Sequence, residues 1–187
     1  MITGIVIVGV LALLALIGFA MYNGLIKTRN YVEEAWSQID VQLKRRADLI
    51  PNLVNTVKGY AKHEADTLGD VTEARAAIAK SSSQNTAGAI EASGIMEQMV
   101  GRLFAVAEAY PDLKASQNFL SLQEDLASTE NKVSAARQHY NVSVRQLNTK
   151  IQTVPTNIIA KVANINEREY FELPEGHEDR EVVEVKF

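Results

Sequence analysis

Residues 5–21 read IVIVGVLALLALIGFAM, and no charged side chain occurs before Lys27. At a rise of ~1.5 Å per residue, a helix from Ile2 to Tyr22 spans about 31 Å, enough to cross a ~30 Å hydrocarbon core. Residues 1–22 are therefore read as a single-pass anchor that meets membrane lipid through residues 2–22. The rival reading is a cleaved export signal, which needs basic residues, a shorter apolar core and a small-x-small cleavage site. Gly18-Phe19-Ala20 fits the last requirement, but no Lys or Arg precedes the run. An uncleaved anchor is expected, and this chain has no cysteine to acylate as a lipoprotein. Lys27 and Arg29 lie just beyond the run, and the positive-inside bias puts the domain after the anchor on the cytoplasmic side of a bacterial inner membrane.

Beyond the anchor the apolar residues keep a step of three or four: Val32, Trp36, Ile39, Leu43, Ile50, Leu53, Val57, Tyr60, then Val71, Ala74, Ile78. Such spacing marks a helix with one buried seam. The pattern predicts one helix over 22–80, about 88 Å if straight. Pro51 lies inside it without shifting the register, so a kinked helix is expected rather than a loop. The polar run Ser81-Ser82-Ser83-Gln84-Asn85 breaks the pattern, and Asn85 or Thr86 can cap a second helix over 86–110. Its seam is Ser93, Met96, Val100, Leu103, Ala107 and Tyr110, flanked by Gly94 and Gly101. Two glycines inside a helix predict the close approach of a neighbouring helix. Pro111 ends that helix, and Asp112 or Ser116 caps the third. The third seam runs Phe119, Leu122, Leu126, Val133, Ala136, Tyr140, Val144, Leu147, Ile151, Val154, for about 58 Å. A short fourth helix comes next, over 157–165.

The expected fold is all-α: one N-terminal transmembrane helix, then an up-and-down bundle of three long helices and a short fourth. The bundle occupies residues 23–166. Residues 167–187 form an acidic tail, net −5 from eight acids and three bases, partly extended at Val183-Glu184-Val185-Lys186-Phe187. The rest of the chain is nearly neutral, which speaks against nucleic acid as a partner.

Chemistry is sparse. His63-Glu64 would need a second histidine at position 67 to make a zinc motif, and that position is Thr67. His139 and His177 stand apart, no G-x-S-x-G elbow occurs, and Glu33-Glu34 and Glu124-Asp125 are helix neighbours pointing about 100° apart. No catalytic residue, cofactor site or metal site is expected. Lys44-Arg45-Arg46 is the densest basic cluster, with Arg46 on the apolar seam, where it needs Asp40 or a carboxylate on another helix. Lys44, Arg45, Arg46 and Trp36 are the candidate contacts for lipid or a protein partner, and Pro51 is the candidate structural kink.

Several stretches carry a resemblance: Tyr22-Asn23-Gly24-Leu25-Ile26, Ala35-Trp36, Ile39-Asp40-Val41-Gln42-Leu43-Lys44-Arg45-Arg46 and Asp48-Leu49-Ile50-Pro51-Asn52-Leu53. Tyr110-Pro111-Asp112-Leu113-Lys114, Asn118-Phe119, Thr129-Glu130-Asn131 and Tyr140-Asn141 continue it. Together they resemble the LemA family over nearly the whole chain. The resemblance implies a membrane helix followed by a long-helix bundle, with no assigned catalytic residues. A related branch takes part in forming magnetosome membranes. Where some members carry a lipoprotein cysteine, this chain has Met21.

The functional expectation is a membrane-anchored helical scaffold that binds other proteins and copies of itself. A membrane-shaping oligomer is the alternative, and an enzyme with an unrecognised site is the third. Self-association is expected through Tyr22–Gln38. The third helix reaches only about two-thirds of the first, which would leave Val32, Ala35 and Trp36 short of partners in their own chain.

Overall fold

The computed structural model describes residues 1–61, 69 and 86–172. The expectations for Val71, Ala74, Ile78, the 81–85 break and the extended end of the tail lie outside the described residues. Among the described residues five helices succeed one another: α1 (Ile2–Tyr60), α2 (Thr86–Glu108), α3 (Pro111–Lys114), α4 (Gln117–Gln152) and α5 (Thr156–Val162). No strand occurs among the described residues. The class is all-α, and among the described residues one helix, α1, is long and apolar enough to cross a membrane. Pro51 lies within α1, which runs through it as the unbroken seam predicts. Lacking an N–H, Pro51 has no hydrogen to give the carbonyl of Ala47.

The chain divides into two compact units, residues 1–39 with 136–170 and residues 40–135 with 171–187. In the first, Leu25, Thr28, Val32, Ala35 and Ile39 are buried at steps of three and four. Tyr140, Val144 and Leu147 of α4 are buried in the same unit. The two segments run antiparallel: Lys150 Nζ donates to Thr28 Oγ1 at 2.5 Å, and the Tyr140 ring lies edge-on to Trp36 at 5.4 Å. This corrects the expected shortage of partners. Val32 and Ala35 are buried within their own chain, and Trp36 is half-buried. The seam position is Ala35, not Trp36, because the step from Val32 to Ile39 divides three and four through the smaller residue. α4 ends at Gln152, and Val154, expected on its seam, is exposed.

α5 is closed by a two-bond cap. Asn164 has φ 53°, a left-handed conformation that asparagine tolerates. The Ile165 amide donates to the Ala160 carbonyl at 2.9 Å, and the Asn164 amide donates to that of Lys161 at 3.3 Å. Ala160 and Ile165 are both buried, the apolar contact that accompanies this cap.

The second unit has a conventional apolar core. Ile50, Leu53 and Val57 of α1 cluster with Met96, Val100 and Leu103 of α2 and with Phe119 and Leu126 of α4. Full burial of each large aliphatic side chain contributes about 1.5–3 kcal/mol. Phe104 and Phe119 meet edge-on at 5.9 Å. Tyr60, expected on the seam, is exposed, while Ala61 is buried. Pro111 starts the one-turn α3, and Lys114 Nζ reaches back to both carboxylate oxygens of Glu108 at 2.6 and 2.8 Å. α4 begins one residue after Ser116, the expected cap position. The close helix approach predicted at Gly94 and Gly101 is absent: a Cβ at either would meet nothing within 4 Å among the described residues.

Candidate functional site

Arg46 is 4% exposed, and its guanidinium pairs with the Glu130 carboxylate of α4 in the second unit. This is the carboxylate on another helix that a seam arginine requires. The pair joins the Leu43-Lys44-Arg45-Arg46 stretch to Thr129-Glu130-Asn131, two segments far apart in sequence. Arg46 is buried while the Glu130 side chain is partly exposed; such a pair adds little net stability, but leaving the buried guanidinium without its carboxylate is costly. Arg46 is thereby occupied inside the fold. Lys44 and Arg45 are exposed. Trp36 lies in the first unit against Tyr140, and Pro51 lies in the second. Of the five candidates, Trp36 belongs to the first unit and the other four to the second.

A cluster with no periodic signature in the sequence lies in the first unit. Glu33 Oε1 sits 3.7 Å from Arg29 Nε and 3.6 Å from Arg168 Nη2, so one carboxylate bridges two guanidiniums. Arg29, Asn164, Ile165, Asn166, Glu167 and Arg168 line an open cleft of about 230 Å³. Its floor is the irregular segment after α5, which side chains of α4 hold in place. Asn148 is buried; its Nδ2 donates to the Arg168 carbonyl at 2.9 Å, and its Oδ1 accepts from the Arg168 amide at 2.9 Å. Tyr140 Oη donates to the Glu169 carbonyl at 3.1 Å, and Gln152 Nε2 donates to Glu167 Oε1 at 3.0 Å. An asparagine on a buried helix face was the available signal, since a buried amide needs partners.

The cleft is polar and of mixed charge: the Arg29 and Arg168 guanidiniums, already facing Glu33, and the amides of Asn164 and Asn166 stand beside the Glu167 carboxylate. No histidine lines it. Among the described residues no group of three or more His, Cys, Asp or Glu side chains is placed to hold a metal ion. His139 is exposed on α4, and His63, Glu64, Thr67 and His177 lie outside the described residues.

Comparison with known proteins gives a consistent result. The family model described as LemA family matches residues 35–187. A protein named LemA from Metamycoplasma hominis is 29% identical over 74% of this chain, and the chain spans 63% of that relative's length. Magnetosome protein MamQ of Magnetospirillum gryphiswaldense is 24% identical, with 90% of this chain and 72% of the relative covered. Magnetosome protein MamQ 2 of Paramagnetospirillum magneticum is also 24% identical, with 92% and 73% covered.

Proposed function

The chain belongs to the LemA family, and on that footing we propose that it is a membrane-anchored, non-enzymatic scaffold that assembles with copies of itself and with other proteins. The observation that carries this reading is the nature of α1. Its first turns are exposed, apolar and free of charge, and the same helix continues unbroken into a buried, packed seam from Leu25. A helix that is exposed and apolar all round needs lipid around it, whereas an amphipathic one needs a protein core. The open, polar cleft with no histidine supports a binding surface rather than a catalytic pocket. Lys27 and Arg29, directly after the span, support a cytoplasmic helical domain.

A second reading, an oligomer that bends or organises the membrane, is favoured by the similarity to the two magnetosome proteins. One experiment separates the two. Full-length protein is reconstituted into liposomes and imaged, alone and with partners captured by crosslinking in native membranes. A scaffold leaves the vesicles round and yields a defined set of crosslinked partners; a shaping protein deforms them unaided. Sidedness is tested with Ser121→Cys, an exposed position in a chain without cysteine. A membrane-impermeant maleimide applied to intact cells should leave it unlabelled.

A further inference from the structure

The segment after α4 carries apolar side chains that are exposed among the described residues. Val154 is 73% exposed, Ile158 60% and Val162 84%. Ile158 and Val162 are four apart on α5, so they share a face, and Val154 lies in the turn just before that helix. Single exposed apolar residues are ordinary on a protein surface, but a row of them marks a contact.

The position of α5 identifies the medium that the row meets. Ile159, next to Ile158 on the helix, places its Cδ1 3.9 Å from where a Cβ on Gly18 would stand. Gly18 lies within the charge-free run, four residues before Tyr22, or about 6 Å deeper along the helix axis. Helices that lie in a bilayer interface sink their apolar faces about 5–10 Å into the headgroup–acyl boundary. α5 is therefore at the depth of the end of the span. At that depth the medium around an uncovered apolar face is lipid, not water. Lys161 on α5 is exposed and long enough to reach back to the headgroups. Tyr22, exposed on α1, is of the residue type that anchors at the same level.

We infer that α5 is a second membrane contact, an interfacial element that beds Ile158 and Val162 into the lipid beside the span. The protein then grips one leaflet at two points of its first unit, and the cleft of Arg29 and Arg168 belongs to the layer of the lipid headgroups. This rests on the membrane-anchored reading of α1, and the test separates the two.

Single cysteines are introduced at Ile158→Cys, Val162→Cys, Leu11→Cys and Gln146→Cys. The first three sites are exposed apolar positions, Gln146 is exposed on α4, and no native cysteine competes for label. Each full-length variant is labelled with bimane and reconstituted into phosphatidylcholine–phosphatidylglycerol vesicles containing lipids brominated at shallow or deep acyl positions. The expected result is quenching of positions 158 and 162 by shallow bromines, quenching of position 11 by deep bromines, and none at 146. Quenching at 11 without quenching at 158 and 162 overturns the interfacial contact and leaves the anchor intact. Loss of quenching at 11 as well overturns both. If 158 and 162 are unquenched but crosslink between chains, the stripe covers a second copy instead.

Discussion

The two units solve the same packing problem with different chemistry. In residues 40–135 and 171–187, the described core is a cluster of aliphatic and aromatic side chains, and the buried charge in that unit, Arg46, is paired with Glu130. In residues 1–39 and 136–170, the helix seam is complemented by side chains that bond to main chain: Asn148 to Arg168 and Tyr140 to Glu169. An apolar core is non-directional and tolerates rearrangement. Side-chain bonds to backbone fix one path for a segment that makes no helix. The second unit is thus built for stability and the first for holding a particular surface, the cleft beside the membrane span.

The largest effect is expected where the second unit breaks its own rule. Glu130→Ala leaves the buried Arg46 guanidinium without its carboxylate, and losing one partner of such a pair costs about 3–5 kcal/mol. Thermal unfolding of the full-length protein in detergent should shift sharply downward, and Arg46→Met combined with Glu130→Leu should recover most of the loss. Next comes the apolar cluster. Leu103 is fully buried, so Leu103→Ala should cost about 2–5 kcal/mol in the same assay.

The first unit should respond in another way. Asn148→Ala removes two bonds to Arg168, worth about 1 kcal/mol each. Its signature is local: faster amide exchange over 165–170 and tryptic cleavage after Arg168, with exchange in the α2 core unchanged. Global loosening would show that the polar bonds stabilise the chain as a whole rather than fix one path. The smallest effect is a gain. At Gly101 a Cβ meets nothing nearby, so Gly101→Ala should stabilise α2 by about 1 kcal/mol. Destabilisation there would restore the close helix approach that the glycine first suggested.

The two units also differ in how much of them can be read from sequence. Helices and seams are legible because their step of three and four is a local property, and Pro51 does not disturb it. Seam membership is misread where a large residue stands beside a small one. Trp36 draws the assignment from Ala35, and Tyr60 draws it from Ala61. Arg46 announces that it needs a carboxylate, but only the fold can select Glu130, 84 positions away. The stalk's apparent lack of partners comes from comparing helix lengths, and that comparison leaves out register: the last turns of α4 lie beside Thr28 and Trp36, while the cleft is built from the irregular residues after α5. Those residues have no periodicity, so Arg168, Asn164 and the cleft they line leave only the buried Asn148 and Tyr140 as a trace.

The proposed self-association is tested most directly by the mass of the protein in detergent. Light scattering on the full-length chain, solubilised in mild detergent at micromolar concentration and corrected for bound detergent, should return at least twice the chain mass of 20.6 kDa. A protein mass of 20.6 kDa at every concentration would contradict self-association and leave an anchor with a monomeric domain.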